Sequence, residues 1–251
     1  MIDYNARYAT GYMEGFTDLY EAARLVAVRE VLADRTLWPT PPGLIMDFAC
    51  GQGRYFPFLK EAFPAARLLG VDISFVGVQK ARAQFPDERY TVGMGEALPL
   101  ANDAIDLIFS IETLEHVQDA RATIDEWARV LKPGGQILFT TPCANRFSLE
   151  WILMALSGGF QPSADGYGRF RRDEPGHLRR LNTRHVADLF ADAGLEVTRS
   201  RFRTHGFTTI AHDLIRPRSK RLAYRVALLD WRLLRRLPNG ASMIVIGRKP
   251  L

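Results

Sequence analysis

Cysteine is nearly absent from this chain: Cys50 and Cys143 are the only two in 251 residues. Two cysteines do not make a disulfide framework, and neither has metal-ligand spacing, so no metal site is expected and a reduced, cytoplasmic setting fits. Long hydrophobic runs are missing as well. The most apolar stretch outside the candidate strands, Trp151 to Leu156, is far too short to cross a bilayer. The opening Met1-Ile2-Asp3-Tyr4-Asn5 lacks the basic-then-apolar pattern of a secretory signal, which argues against export. No internal repeat and no low-complexity segment interrupts the sequence. What remains is the composition of a water-soluble globular protein, 47% hydrophobic and 24% charged, able to bury a substantial core in one domain.

Glycine, by contrast, is concentrated where it matters. Ile45-Met46-Asp47-Phe48-Ala49-Cys50-Gly51-Gln52-Gly53 reads as a strand turning sharply into a helix, and Leu69-Gly70-Val71-Asp72 as a second strand ending in a lone acid. Glycines there let backbone approach a ligand, and the helix start offers free N–H groups. An acid at the tip of the next strand can accept hydrogen bonds from both hydroxyls of a ribose. The combination predicts a pocket for a nucleoside-containing cofactor. A dinucleotide fingerprint needs a third glycine, and Phe56 stands in its place, which disfavours a pyrophosphate-binding turn.

Apolar runs alternate with helical patterns from about residue 43 to 142, the signature of an α/β fold with a parallel sheet. Strands are predicted at 44–48, 68–72, 89–92, 105–110 and 136–141, with helices near 55–62, 75–84 and 120–131. Lys132-Pro133-Gly134-Gly135 is expected to close the last helix. A helix over 17–33 precedes the sheet. Residues 143–181 read as an irregular insertion lying over the pocket. A helix at 183–193, a strand at 196–202, a basic helix at 220–236 and a strand at 242–247 follow, the two strands pairing antiparallel at one edge. The organisation predicted is a single domain: an N-terminal helical segment (1–42), a cofactor core (43–142), a lid (143–181) and a substrate-side part (182–251).

Five stretches in this order resemble class I S-adenosylmethionine-dependent methyltransferases, specifically the methyltransferase type 11, ubiquinone/menaquinone-biosynthesis-like group. They are Asp47 to Gly53, Val71-Asp72-Ile73-Ser74, Glu96-Ala97-Leu98-Pro99-Leu100, Glu112-Thr113-Leu114-Glu115-His116-Val117, and Arg129 to Gly135. The likeness covers 43–142 well and continues more weakly through 177–182 and 193–195. It implies a Rossmann-like, doubly wound, mostly parallel seven-stranded sheet with an antiparallel C-terminal edge strand and helices on both faces. It also implies S-adenosylmethionine as cofactor. Gly51 and Gly53 would hold backbone against its methionine portion, and Asp47 would orient that loop or the ammonium group. Asp72 would bind the ribose and Ile73 would pack on the adenine. Ala49 and Ile111, at the ends of two strands, join the cofactor set. Many relatives read Gly-Asp-Ala-Glu where this chain has Gly93-Met94-Gly95-Glu96, so Met94 replaces the acid that binds the adenine amino group. Met94 can instead pack on the purine, with Gly95 and Glu96 beside it. Tyr4, Tyr8 and Tyr12 share a helical face; Tyr8 would touch the cofactor if that segment closes over it, and otherwise simply packs.

A sulfonium is already a strong methyl donor, so positioning and water exclusion are the main tasks. A hydroxyl acceptor also needs its proton removed, and His116 and His177 are the candidate bases, each with a structural reading beside the catalytic one. Glu112, at the same lip, orients the acceptor or caps a turn. Ser110-Ile111-Glu112-Thr113 replaces the Asn/Asp-Pro-Pro-Tyr loop of base-amine and glutamine methylases, which leaves oxygen, carbon or small-amine acceptors.

The net charge of +5 is unevenly placed. From Arg216 to Arg236 eight cations face the single acid Asp230, and Leu222, Val226, Leu229, Leu233 and Leu237 recur between them at helical spacing. This amphipathic helix either packs on the sheet edge with a solvated face or docks on an anionic membrane or a lipid-linked substrate. No recognition module supports a specific nucleic acid partner, and no feature sets an oligomeric state. Arg169, Arg171 and Arg172 are expected to meet an acidic acceptor. The reading is an enzyme that methylates an oxygen or carbon of a small, acidic or lipid-linked molecule. A non-catalytic cofactor-binding scaffold and a nicotinamide-dependent oxidoreductase are the rivals.

Overall fold

The computed structural model describes residues 2–11, 18–174 and 176–251. Tyr12 and Thr17 lie outside them. A short helix α1 (Tyr4–Ala9) and a longer α2 (Leu19–Ala33) precede the sheet. The Asp18 carboxylate caps α2 by accepting the Glu21 N–H at 2.7 Å. There follow β1 (Leu44–Phe48), α3 (Phe56–Ala62), β2 (Arg67–Asp72), α4 (Phe75–Gln84), β3 (Arg89–Val92), β4 (Ile105–Ile111), α5 (Ala120–Val130) and β5 (Leu131–Pro142). Next come α6 (Leu149–Leu156), a two-residue hairpin β6 (Phe160–Gln161) and β7 (Arg169–Phe170), α7 (Thr183–Asp192) and β8 (Glu196–Arg203). Then α8 (Gly206–Ile210) runs into a π-helical turn (Ala211–Ile215), and α9 (Lys220–Leu234) and β9 (Ser242–Arg248) end the described chain.

Seven strands pair in the order β3-β2-β1-β4-β5-β9-β8. β9 is antiparallel to both neighbours, inserted between β5 and the outermost β8; the other pairings are parallel. β4 sits near the middle, and its run of apolar residues is buried on both faces, as a parallel strand between two helical layers must be. The alternation of β1 divides the core: Met46 and Phe48 join Ile124, Trp127 and Phe190 beneath α5 and α7. Ile45 points the other way, into Val28, Leu32, Phe56, Leu59 and Trp231 of α2, α3 and α9. The chain leaves β1 toward β2 on one side and later returns to β4 on the other. That reversal opens a crevice at the carboxyl ends of the strands.

Two local expectations change. Lys132-Pro133-Gly134-Gly135 does not close a helix; it lies inside β5, where pairing with β4 jumps from Ile105↔Leu131 to Leu107↔Gln136. The Gly134 N–H then bonds the Lys249 carbonyl, so the motif is held by β-type bonding across the sheet. Nor is 143–181 irregular: Ser148 caps α6, and the β6–β7 hairpin follows.

Candidate active site

The turn after β1 is built on left-handed backbone, with Ala49 at φ 60° and Gly51 at φ 52°. A side chain at Gly51 would have its Cβ 2.2 Å from the Tyr8 hydroxyl, so close approach as well as conformation demands glycine. Asp72, at the end of β2, ties this turn to the next one. Its Oδ2 accepts the Gly51 N–H at 2.8 Å and its Oδ1 the Ser74 N–H at 2.7 Å. Burial raises the Asp72 carboxyl, and these backbone bonds work against that rise. α1 lies over the same turns: Asn5 accepts from the Ser74 hydroxyl and the Val76 N–H, and Lys80 donates to the Tyr8 carbonyl.

These turns wall a cleft of about 480 Å³. Asp47 faces into it from β1 with Oδ2 buried and without a hydrogen-bond partner. Burial, and then the charge of Asp72, push its carboxyl well above the usual aspartate range. An orphaned acid of this kind is completed by an ammonium donor. Ile73 and Met94 are exposed apolar side chains on the cleft wall, able to flank a flat ring. A left-handed backbone turn, a strand-end acid, an unpartnered acid and two apolar flanks are features that fit S-adenosylmethionine.

A second group of side chains at the cleft is ionic. Glu112, in left-handed backbone at φ 51°, follows β4. Its Oε1 accepts from the Thr140 hydroxyl at 2.7 Å and meets Arg203 at 3.4 Å, while Oε2 lies 3.6 Å from Arg24. Burial alone would raise Glu112, but Arg24, Arg203 and the Thr140 bond hold its carboxyl below the usual value. Arg24 also lies 3.9 Å from Glu21, which Arg54 approaches to 2.6 Å. Both arginines line the cleft.

His116 and His177 complete this group, their rings 4.8 Å apart and edge to face. His116 Nδ1 stands 2.8 Å from the Gly176 carbonyl, which assigns the ring proton to Nδ1 and leaves Nε2 with a lone pair. Burial, with His177 adding to it, lowers the His116 pKa; burial also lowers that of His177, against the nearby Glu174 and Asp173. Glu115 is fully buried, with Oε2 on the Thr141 hydroxyl and Oε1 without a partner. Although cysteine spacing predicts no metal site, ligand atoms of Glu115, His116 and His177 all lie within 4.8 Å of one another.

The structure therefore brings Tyr8, Asp47, Ala49, Gly51, Asp72, Ile73, Met94, Gly95, Glu96, Ile111, Glu112, His116 and His177 to one cleft. Gly53 is not among its lining: at φ 78° it packs behind the turn, and a Cβ there would meet the Phe85 ring at 3.0 Å. Glu96 lines the cleft, yet its Oε1 already accepts the Gln118 and Asp119 N–H groups and braces their loop. Arg169, Arg171 and Arg172 do not line the cleft; Arg24 and Arg54 supply its cations. Neighbouring Arg179 and Arg180 are buried rather than solvated. Arg179 donates to the carbonyls of Leu114, Val117 and Gln118 and pairs with Asp165, gripping the loop that carries His116. Arg180 joins Asp173 and Glu150 and lies 4.4 Å over the Phe170 ring. Phe56, in the place of a third glycine, is buried, stacks on Tyr90 and meets Phe85 at a tilt.

Residues 46–139 match a family model described as a methyltransferase domain. The chain is similar to malonyl-[acyl-carrier protein] O-methyltransferases from Methylococcus capsulatus, 36% identical over 104 residues, and Hahella chejuensis, 36% identical over 121 residues. Those alignments take in 40% and 47% of this chain and 38% and 43% of the relatives, so the likeness spans less than half the length of either relative. Among solved structures, a chain of the Haloferax volcanii complex between the Trm112 activator and a methyltransferase superposes with a TM-score of 0.66. It is 23% identical, over 100% of this chain and 99% of that one, a likeness of fold.

Proposed function

From the match of residues 46–139 to a methyltransferase-domain model, we propose that this protein is an S-adenosylmethionine-dependent methyltransferase that acts on an oxygen or carbon of a small acidic or lipid-linked acceptor. The observation that carries the proposal is the single cleft that brings Asp72 and the orphaned Asp47 together with His116, His177 and Glu112. When bound, the cofactor supplies a methyl group already activated by a cationic sulfur.

What remains for the chain is positioning, exclusion of water and custody of the acceptor's proton. Asp72 holds the Gly51 and Ser74 amides and keeps lone pairs for ribose hydroxyls. Asp47 takes the ammonium group, and Tyr8 closes the turn from above. Arg24 and Arg54 attract an anionic group of the acceptor, with Glu112 holding Arg24 in place. A neutral His116, with Nε2 unprotonated, accepts the proton of an acceptor hydroxyl. A carboxylate acceptor needs no base, and the malonyl O-methyltransferase relatives support an acid of that kind.

The lipid-linked reading is supported by α9 and the turn after it, where exposed Leu222, Leu229, Leu233 and Leu237 alternate with exposed Arg225, Arg232 and Arg236. No helix of the described residues is long and apolar enough to cross a membrane. The test is incubation with methyl-labelled cofactor and a broad cell extract, wild type against Asp72→Ala, followed by separation of lipid, polar and macromolecular fractions. Label appearing in one fraction with wild type alone is expected and identifies the acceptor class. Cofactor binding with no label in any fraction would instead favour a binding scaffold.

A further inference from the structure

We propose that Glu115, His116 and His177 bind one divalent first-row transition ion, of the zinc or manganese type, at the cleft. Its role there rests on the methyl-transfer reading, whereas its binding does not.

The three side chains offer one carboxylate and two imidazole ligands within 4.8 Å of one another. Donors around a tetrahedral ion with bonds of 2.0–2.1 Å stand about 3.3 Å apart, so shifts of about 1 Å close the set. The state of each donor points the same way. His116 gives its Nδ1 proton to the Gly176 carbonyl, the outer hydrogen bond by which ligating histidines are oriented, and its Nε2 stays free. His177 has a buried Nδ1 with no hydrogen-bond partner, and Asp173 and Glu174 stand about 4 Å from its ring as outer carboxylates.

Glu115 is the most telling of the three. It is wholly buried, one oxygen is orphaned, and the other meets only a neutral hydroxyl. Among the described residues no cation forms an ion pair with it: Arg24, whose charge reaches it, is held by Glu112 and Glu21, and the Arg179 guanidinium is spent on three carbonyls and Asp165. A buried oxygen without a partner is rare in a folded protein, and an ion at this place gives Glu115 one. Mixed imidazole and carboxylate donors suit zinc, manganese or iron more than calcium or magnesium, which prefer oxygen throughout.

Three protein ligands leave a coordination position open, and His116 and His177 both face the cleft. An acceptor hydroxyl bound there becomes more acidic. Its O–H bond breaks with the electron pair left on oxygen, and the proton leaves to solvent through the mouth of the cleft. The ion thereby takes over the task otherwise given to His116, and the two imidazoles act as ligands.

The test strips the full chain with a strong chelator and titrates Zn²⁺ and Mn²⁺ back separately by calorimetry, with metal content checked by mass spectrometry. One ion per chain is expected, with His177→Ala and Glu115→Gln each weakening binding at least 10-fold. Glu115 is buried and its variant can fail to fold, so His177→Ala, at a partly exposed position, keeps the test decisive. Binding of neither metal, or equal binding by His177→Ala, overturns the proposal. Cofactor binding is measured on the stripped chain in parallel. Cofactor binding without ion uptake removes the ion and leaves the methyl-transfer reading intact. Ion uptake without cofactor binding supports the ion and counts against that reading.

Discussion

Backbone geometry at single residues decides much of the cofactor site. Gly51→Ala places a Cβ against the Tyr8 hydroxyl and a side chain in left-handed backbone, whereas Gly158, also left-handed at φ 61°, has nothing within 4 Å of a new Cβ. Gly158→Ala should therefore cost about 1 kcal/mol from conformation alone. Gly51→Ala should cost more in thermal unfolding and weaken cofactor binding over 10-fold by calorimetry. Arg24→Ala is expected to raise KM for an acidic acceptor about 10-fold or more, equivalent to about 1.4 kcal/mol, while cofactor affinity stays level. A rise in cofactor Kd of the same size would place Arg24 elsewhere in the reaction. The positions of Gly51 and Asp72 at the cleft were legible in the sequence because they follow from local backbone and from strand spacing. Arg24, Arg54 and Glu21 were not, because their pairing with the end of β4 joins parts of the chain that no periodicity connects. Likewise His116 and His177 could each be singled out as candidates, but only folding shows their rings in contact with each other and beside Glu115.

Elements are held by a few buried polar groups, and these set how stability responds to substitution and pH. Arg179→Met leaves three loop carbonyls and Asp165 without their donor, so a loss of about 3 kcal/mol in denaturant unfolding is expected. The same variant should lower kcat, because the loop it grips carries His116. Asp230, buried on α9, accepts from the His205 ring and from the His205 and Thr208 N–H groups, tying α9 to the start of α8. Burial would raise its carboxyl, but these bonds hold it below the ordinary aspartate value of 3.8. A carboxyl depressed in the folded state contributes stability above its unfolded value and loses it as pH falls through the folded one. Melting between pH 7 and pH 3 should therefore show a loss below about pH 4 that Asp230→Ala removes, from a baseline lower by about 3 kcal/mol. The core strands and helices of 43–142 were legible because their apolar runs are buried on both faces. α6 and the π-helical turn were not, because 143–181 reads by composition as glycine-punctuated loop, and a π-turn has no sequence signature at this length.

On the scale of the whole molecule, exposed cationic charge is gathered along α9 and the turn after it. Each arginine near an anionic bilayer is worth about 1 kcal/mol, so Arg225, Arg232 and Arg236 together govern about a hundredfold in partitioning. Sedimentation with anionic vesicles is expected for wild type, to fall by that factor when all three become glutamine, and to weaken as salt rises. Equal sedimentation with neutral vesicles would mean that the stripe serves another purpose. The sheet itself carries a different consequence. β9 is synthesised after the other eight strands, yet its place is between two of them. Until it arrives, β5 and β8 each present an open edge, and unpaired edges invite foreign strands. A ribosome-bound chain that has not yet delivered β9 thus carries most of its core but not a complete sheet. Its chaperone dependence should be read from nascent chains arrested just before β9.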